Sequence, residues 1–261
     1  RETARHVMGN AANNLAHVTR ELGGRPPVVV FGGAAPASTA NAVVAGIFAA
    51  TGQSCVAGSR LIVQKGVKDR LLAALKAKAE AIVIGSPAER ATEMGPLATL
   101  RQRQHIEKTV AASIASGAKL VTGGAAPEGL SGFYYRPTIL DCSGTAAEAI
   151  WTELFGPVLA VVEFEAEEQA VELANATPYG LASGVFTRNL SRAHRMTRDI
   201  RAGVVWINTY RAVSPMAPFG GFGLSGNGRE GGLESILDYT RTKTVWLRTS
   251  DDPIPDPFVM R

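Results

Sequence analysis

Four short segments hold the residues of this chain best suited to chemistry. Cys55 lies in Thr51-Gly52-Gln53-Ser54-Cys55-Val56-Ala57-Gly58. Small residues and two glycines around a thiol make a turn on which the sulfur is reachable and can stand among backbone N–H donors. Such a thiol is a candidate nucleophile. The same segment also suits a small buried apolar side chain, which is what most free cysteines are. Glu21 opens Glu21-Leu22-Gly23-Gly24, after a helical pattern over residues 4–19. A carboxylate at a helix C-terminus opposes the dipole, which raises its pKa and suits a general base. The alternative is a solvated surface glutamate. Glu153 and Phe155 lie in Trp151-Thr152-Glu153-Leu154-Phe155-Gly156-Pro157, just ahead of an apolar strand. A carboxylate at a strand edge can accept both hydroxyls of a ribose diol. A plain strand-entry turn with a core phenylalanine fits that segment equally well. Pro218 to Glu230 is crowded with glycine but does not connect a strand to a long helix, so it is not read as a phosphate loop. Cys142, behind Asp141 at the end of an apolar stretch, reads as structural.

The elements that must position these residues alternate. Apolar runs at Pro27–Phe31, Arg60–Gln64, Lys119–Val121, Pro157–Phe164, Ala182–Thr187 and Val204–Ile207 read as strands. Helical periodicity covers residues 36–50, 69–81, from just past Leu97 to about Ser116, 167–176 and 191–201, with a short helix at Leu233–Tyr239. Thr244–Leu247 looks like a last strand, and Asp251–Arg261, with three prolines, like an exposed tail. Strands alternating with helices predict an α/β fold with a mainly parallel sheet flanked by helices. Ligands of such sheets are expected in loops at the carboxyl ends of the strands.

Composition excludes several classes. The chain has 261 residues, 46% of them hydrophobic, with 27 Lys+Arg against 23 Asp+Glu. This suits a globular protein and not a disordered one. The net charge of +4 is spread without a basic block, so nucleic acid is not an expected partner. No apolar run is long enough to span a membrane, and Arg1 to His6 do not form a secretory signal. Two cysteines are no disulfide framework and fit a reducing, cytoplasmic setting. No metal-ligand spacing is present, so no metal is expected. The chain lacks an initiator Met and turns helical almost at once, so we expect it to be the remainder of a longer one.

Taken in order, these segments resemble the NAD(P)-dependent aldehyde dehydrogenase superfamily over nearly the whole chain. The resemblance rests on Glu21-Leu22-Gly23-Gly24, Gly52-Gln53-Ser54-Cys55, Glu153-Leu154-Phe155-Gly156-Pro157 and Pro218-Phe219-Gly220-Gly221. The spacing of Glu21 and Cys55, 34 residues, is the family's own. The resemblance implies that Cys55 is the nucleophile and Glu21 the general base. It implies that Glu153 holds the nicotinamide ribose of NAD or NADP, with Gly23 and Phe155 beside the cofactor. Phe219, Val213 and Arg211 would line the substrate tunnel, with Tyr210 and Met216 as further contributors. Arg211 would then either meet an acidic aldehyde or simply be solvated.

The resemblance also implies a division of the chain. Residues 1–24 would end a Rossmann-type cofactor domain, 25–228 would form the catalytic domain, and 229–261 a returning helix, an oligomerisation strand and a tail. The family's side-chain oxyanion donor and most of its dinucleotide contacts lie well upstream of the Glu21 motif, before the position of Arg1, so they are not expected within this chain. The chain is therefore expected to be a C-terminal half that acts on an aldehyde and self-associates as a homo-oligomer, a dimer or tetramer. Arg25 stands where the family usually has Lys, a change that looks mild. A CoA-acylating relative is argued against by Glu21, and a non-catalytic interaction chain by the intact Glu21, Cys55 and Glu153.

Overall fold

The computed structural model describes residues 2–259. In chain order the elements are α1 (Glu2–Ala12), β1 (Arg20–Glu21), β2 (Pro27–Val30), α2 (Pro36–Phe48), β3 (Arg60–Gln64), α3 (Lys65–Ala81), α4 (Leu100–Ala115), β4 (Lys119–Thr122), β5 (Thr138–Asp141), α5 (Glu148–Trp151), β6 (Val158–Phe164), α6 (Glu167–Asn175), β7 (Tyr179–Gly180), β8 (Ala182–Phe186), α7 (Leu190–Asp199), β9 (Val204–Ile207), β10 (Phe222–Gly223) and β11 (Gly226–Asn227). Short 3-10 segments cover Ala49–Gly52 and Glu234–Tyr239.

Seven strands form one sheet in the order β4-β5-β6-β3-β2-β8-β9. Every neighbouring pair is parallel except β4 with β5, at the edge. The central strands are Val- and Ile-rich runs without polar alternation, because both faces are covered. Val29, Phe31, Ile62, Ala160 and Val162 face one core with α4, α6 and α7. Val28, Val30, Leu61, Val63 and Val161 face the other, built on α2 and α3. Successive side chains of each strand thus go to opposite layers, as the pleat requires. The small residues of α2 let it lie close on the sheet, and Leu71, Leu72, Leu75 and Ala79 form the buried stripe of α3.

Two expectations need correction. The first helix ends at Ala12, not near residue 19. Gly9 and the asparagines at 10, 13 and 14 are poor helix formers, α1 buries no residue, and Leu15 sits at φ +55°. Glu21 is consequently on a strand, and no helix C-terminus acts on it. Thr244–Leu247 forms no strand among the described residues, and it is exposed. Its apolar run has no neighbouring strand to pair with among the described residues. Of the expected tail, residues 251–259 are exposed, while Met260 and Arg261 lie outside the described residues.

Leu233, Ile236, Leu237, Val245 and Leu247 are all exposed, and Trp246 is 94% exposed. Contiguous apolar surface of this kind drives association. The chain is predicted to self-associate at working concentration. Light scattering checks this, and a sharp monomer peak counts against it.

Candidate active site

The three candidate residues come together at the amino ends of parallel strands. Glu21 precedes β2, Cys55 precedes β3, and Glu153 precedes β6. This corrects the expectation that ligands meet the carboxyl ends. On this sheet the carboxyl ends feed almost directly into helices, and the long loops free to carry chemistry are those entering the strands.

The Cys55 turn is shaped by backbone geometry. Ala50 and Thr51 have φ of +54° and +57°, and Gly52 follows at +68°. A Cβ on Gly52 would overlap the Gly156 carbonyl, so the thiol turn lies directly on the Glu153–Pro157 segment. Gln53 ties the turn outward, its Oε1 accepting from Ala98 N at 2.8 Å. Thr51 Oγ1 donates to Gly95 O at 3.1 Å. Tyr210 holds the other side, its hydroxyl donating to Val56 O at 3.0 Å. The Tyr210 ring occupies the space that side chains at residues 46, 58 and 184 would need, all three being glycine.

Glu21 is held by the Gly-rich loop. β1 pairs antiparallel with β11, Arg20 opposite Asn227 and Glu21 opposite Gly226. Arg20 Nε donates to Asn227 Oδ1 at 2.6 Å. Leu22 N donates to Ser225 O at 2.9 Å. The loop Pro218–Glu230 is therefore a clamp on the glutamate strand, closed by paired backbone bonds between Phe219 and Glu230. Sequence reasoning assigned it no such part.

Within this frame the Glu21 carboxylate lies close enough to the Cys55 thiol for each to shift the other's titration. The backbone N–H groups of Cys55 and Val56 lie near the sulfur and favour its thiolate. The thiol pKa is raised, first by burial and then by the Glu21 charge. Glu21 is also raised, first by burial, with the neighbouring thiol opposing the shift and the like charges of Glu230 and Glu153 adding to it. The carboxylate is thus raised, but desolvation is the cause and not a helix dipole. Glu21 Oε1 is buried with no hydrogen-bond partner among the described residues.

Glu153 sits across the Gly23-Gly24 turn. Gly24 N donates to Glu153 Oε1 at 2.9 Å, and a Cβ on Gly23 would overlap the same carboxylate. Phe155 is half-exposed with φ +47°, a strained value for a bulky residue, and presents its ring at the same edge. Phe219 and Cys55 pack against one apolar cluster of Val56, Leu181, Ala182 and Trp206. Phe219 and Val213 also line an open cavity of about 450 Å³. Arg211, expected in the same wall, is absent from it; its Nη1 donates to Ala45 O of α2 at 3.3 Å.

The aldehyde dehydrogenase family profile matches residues 1–245. The chain belongs to the aldehyde dehydrogenase family. It is 60% identical, over its full length, to a (Z)-2-((N-methylformamido)methylene)-5-hydroxybutyrolactone dehydrogenase of Acinetobacter baylyi, and covers 53% of that protein. It is 41% identical over 98% of its length to a betaine aldehyde dehydrogenase of Rhizobium leguminosarum, again covering 53%. Among solved aldehyde dehydrogenase-like structures, PnpE in complex with nicotinamide adenine dinucleotide superposes with a TM-score of 0.94 at 40% identity, over 98% of this chain and 53% of that one. The chain thus spans about half the length of the curated relatives it matches. Its parallel sheet with flanking helices is the aldehyde dehydrogenase fold.

Arg25, where this family resemblance suggests a lysine, is less innocuous than the sequence implies. It is 1% exposed, and its three guanidinium nitrogens have no hydrogen-bond partner among the described residues. Burial, helped by neighbouring Arg60, lowers it to about 9. Cys142 is buried beneath the sheet at 0% exposure, its thiol pushed up to about 12 mainly by desolvation, which is the signature of a structural cysteine.

Proposed function

We propose that this chain carries the acyl-transfer centre of an enzyme that oxidises an aldehyde to a carboxylic acid with a nicotinamide dinucleotide, through a thioester on Cys55. The observation that carries this reading is the Glu21 carboxylate lying within electrostatic reach of the Cys55 thiol, on a turn packed directly against the Glu153–Pro157 segment. Relatives that are dehydrogenases, and a similar structure holding the dinucleotide, support it.

As the sulfur adds to the carbonyl carbon, its proton passes to Glu21, the neighbouring carboxylate, which releases it to solvent before the second half-reaction. The resulting oxyanion develops beside the Cys55 and Val56 N–H groups, which cost no reorganisation at that moment. The nicotinamide ring, when bound, supplies the hydride acceptor that leaves a thioester on the sulfur. Glu21 Oε1, the buried acceptor without a partner, then takes a proton from water as that water attacks the thioester. The C–S bond breaks, the sulfur regains a proton and the acid departs.

The residues present fit the nicotinamide-ribose end of the dinucleotide. Glu153 is fixed by Gly24 N–H at a place where Gly23 leaves no side chain, with Phe155 exposed beside it. Glu153 would accept the ribose hydroxyls. We assign residues 1–24 to the end of the cofactor domain, 25–228 to the catalytic domain and 229–261 to the returning and assembly segment. The test is NADH absorbance with a short aliphatic aldehyde. Glu153→Gln is expected to raise KM for the dinucleotide about tenfold, the loss of one charge-assisted hydrogen bond. NADH formation that survives Cys55→Ser overturns the reading.

A further inference from the structure

We propose that Tyr210 is a positioning residue for the nucleophile, its hydroxyl holding the Cys55–Val56 turn in the orientation that brings the Val56 N–H near the sulfur. The inference rests on the reading of Cys55 as the nucleophile. Cys55 and Val56 are the central residues of a turn closed by Ala57 N, which donates to Ser54 O at 3.0 Å. Among the described residues, neither Cys55 nor Val56 makes a backbone-to-backbone hydrogen bond of its own. Turns of this length differ in type by rotation of the peptide between the two central residues. Here that peptide carries the Val56 N–H, one of the two amides that favour the thiolate. The next peptide is held at both ends. Its N–H is taken by Ser54 O, and its carbonyl, Val56 O, accepts from the Tyr210 hydroxyl at 3.0 Å. With Val56 fixed on that side, rotation of the preceding peptide is checked.

The hydroxyl is delivered from a rigid mount. Tyr210, expected in the tunnel wall, does not line the cavity beside Phe219. Its ring lies in a slot left by glycines on opposite edges. A Cβ on Gly46 would stand 2.8 Å from its Cδ1, and one on Gly184 2.5 Å from its Cδ2. Trp206 packs edge-on against the ring, with centroids 4.8 Å apart. The loop that bears Tyr210 is fastened as well. Asn208, at φ +54°, exchanges two hydrogen bonds with Thr187, at 2.8 and 2.9 Å. Trp206 Nε1 donates to Ala212 O at 2.7 Å, and Arg211 ties the loop to Ala45 O of α2. Filling the slot requires only the ring, which phenylalanine also has. The hydroxyl adds the hold on Val56. Burial pushes the phenol well above its ordinary range, so it stays a donor wherever the thiol titrates.

Tyr210→Phe tests this without any dinucleotide, because it keeps the ring and removes only the hydroxyl. Cys55 is alkylated with iodoacetamide across neutral to alkaline pH, and modification at Cys55 is followed by mass spectrometry. The midpoint of the rate profile reads the thiol's titration. Glu21 is the charged group acting on that thiol and is common to both proteins, so a difference in midpoint reports the turn. The midpoint is expected to rise by about half to one pH unit in Tyr210→Phe, which is about three- to tenfold less thiolate at neutral pH. Val63→Ala is the control for lost stability. Val63 is a core residue towards the far end of β3 from Cys55, so its loss should lower the melting temperature and leave the midpoint in place. A midpoint that stays or falls in Tyr210→Phe, or that rises as far in Val63→Ala, overturns the positioning role and leaves Tyr210 as packing. Failure of the underlying reading is separate: it shows as NADH formation that persists in Cys55→Ser.

Discussion

Glu21→Gln is expected to leave Cys55 able to be acylated once and then to stall. p-Nitrophenyl acetate is a suitable probe, because an activated ester can acylate a thiolate directly and needs no hydride acceptor. The wild-type chain should release nitrophenolate continuously. The variant should release a burst of about one equivalent per Cys55 and then slow by about 10²–10⁴-fold, the usual contribution of a positioned general base. Cys55→Ser should show no burst. The asymmetry between the two half-reactions follows from the site's electrostatics. The thiol is raised first by burial and then by the neighbouring Glu21 carboxylate. Removing that charge lowers the thiol pKa, so more thiolate exists at a given pH and the burst rate should rise at a lower pH than in the wild type. Deacylation has no such compensation, because Glu21 Oε1 is the buried acceptor left to take a proton from water. Unchanged steady turnover in Glu21→Gln, or a burst profile shifted to higher pH, would remove Glu21 from both roles.

The parts of the site that were legible in the sequence are those whose chemistry is local. A thiol on a Gly-flanked turn and a carboxylate beside two glycines can be read from residue types, and the buried strands from unbroken runs such as Val28-Val29-Val30. The spacing of the motifs then gave the family, and with it the pairing of Glu21 and Cys55. What was not legible depends on neighbours distant in the chain. Glu21 looked like a helix end because Val7, Ala11, Leu15 and Val18 keep helical spacing. Only the structure shows that Asn227 and Gly226, some 200 residues away, draw the segment into a strand. Thr244–Leu247 has strand chemistry but no strand beside it. Arg25 looked exchangeable because its charge was visible and its burial was not. Arg211 was placed in the tunnel wall by the family resemblance, yet it sits at φ +60° and donates to Ala45 O of α2. Glu230 carried no local signal beyond following an arginine, and its closeness to Glu21 comes from the closure of the Phe219–Glu230 bridge.

Gly52→Ala should be among the most damaging single-methyl changes in the chain, and it should harm the chemistry as well as the fold. Gly52 has φ +68°, a region that costs an alanine about 1–2 kcal/mol. The added Cβ would also overlap the Gly156 carbonyl, a backbone atom with no rotamer by which to escape. Relief requires moving one of two loops, and overpacking of this sort costs a further 1–3 kcal/mol or so. A melting temperature lower by about 5–15 °C is expected. The loop that moves is decided by its ties. The Cys55 turn is pinned through Thr51 and Gln53 to residues 95–98. The facing segment is held through Gln102, which donates to the carbonyls of Leu154 and Phe155. Either displacement parts Cys55 from Glu153, so the folded variant should also lose activity well below its melting temperature. Gly66→Ala is the matched control. Gly66 lies in α3 with nothing within 4 Å of a built Cβ, and alanine there should stabilise by up to about 1 kcal/mol. If Gly52→Ala melts like Gly66→Ala and keeps full acyl transfer, the two loops are not in register through Gly52, and the placement of Glu153 beside the thiol must come from elsewhere.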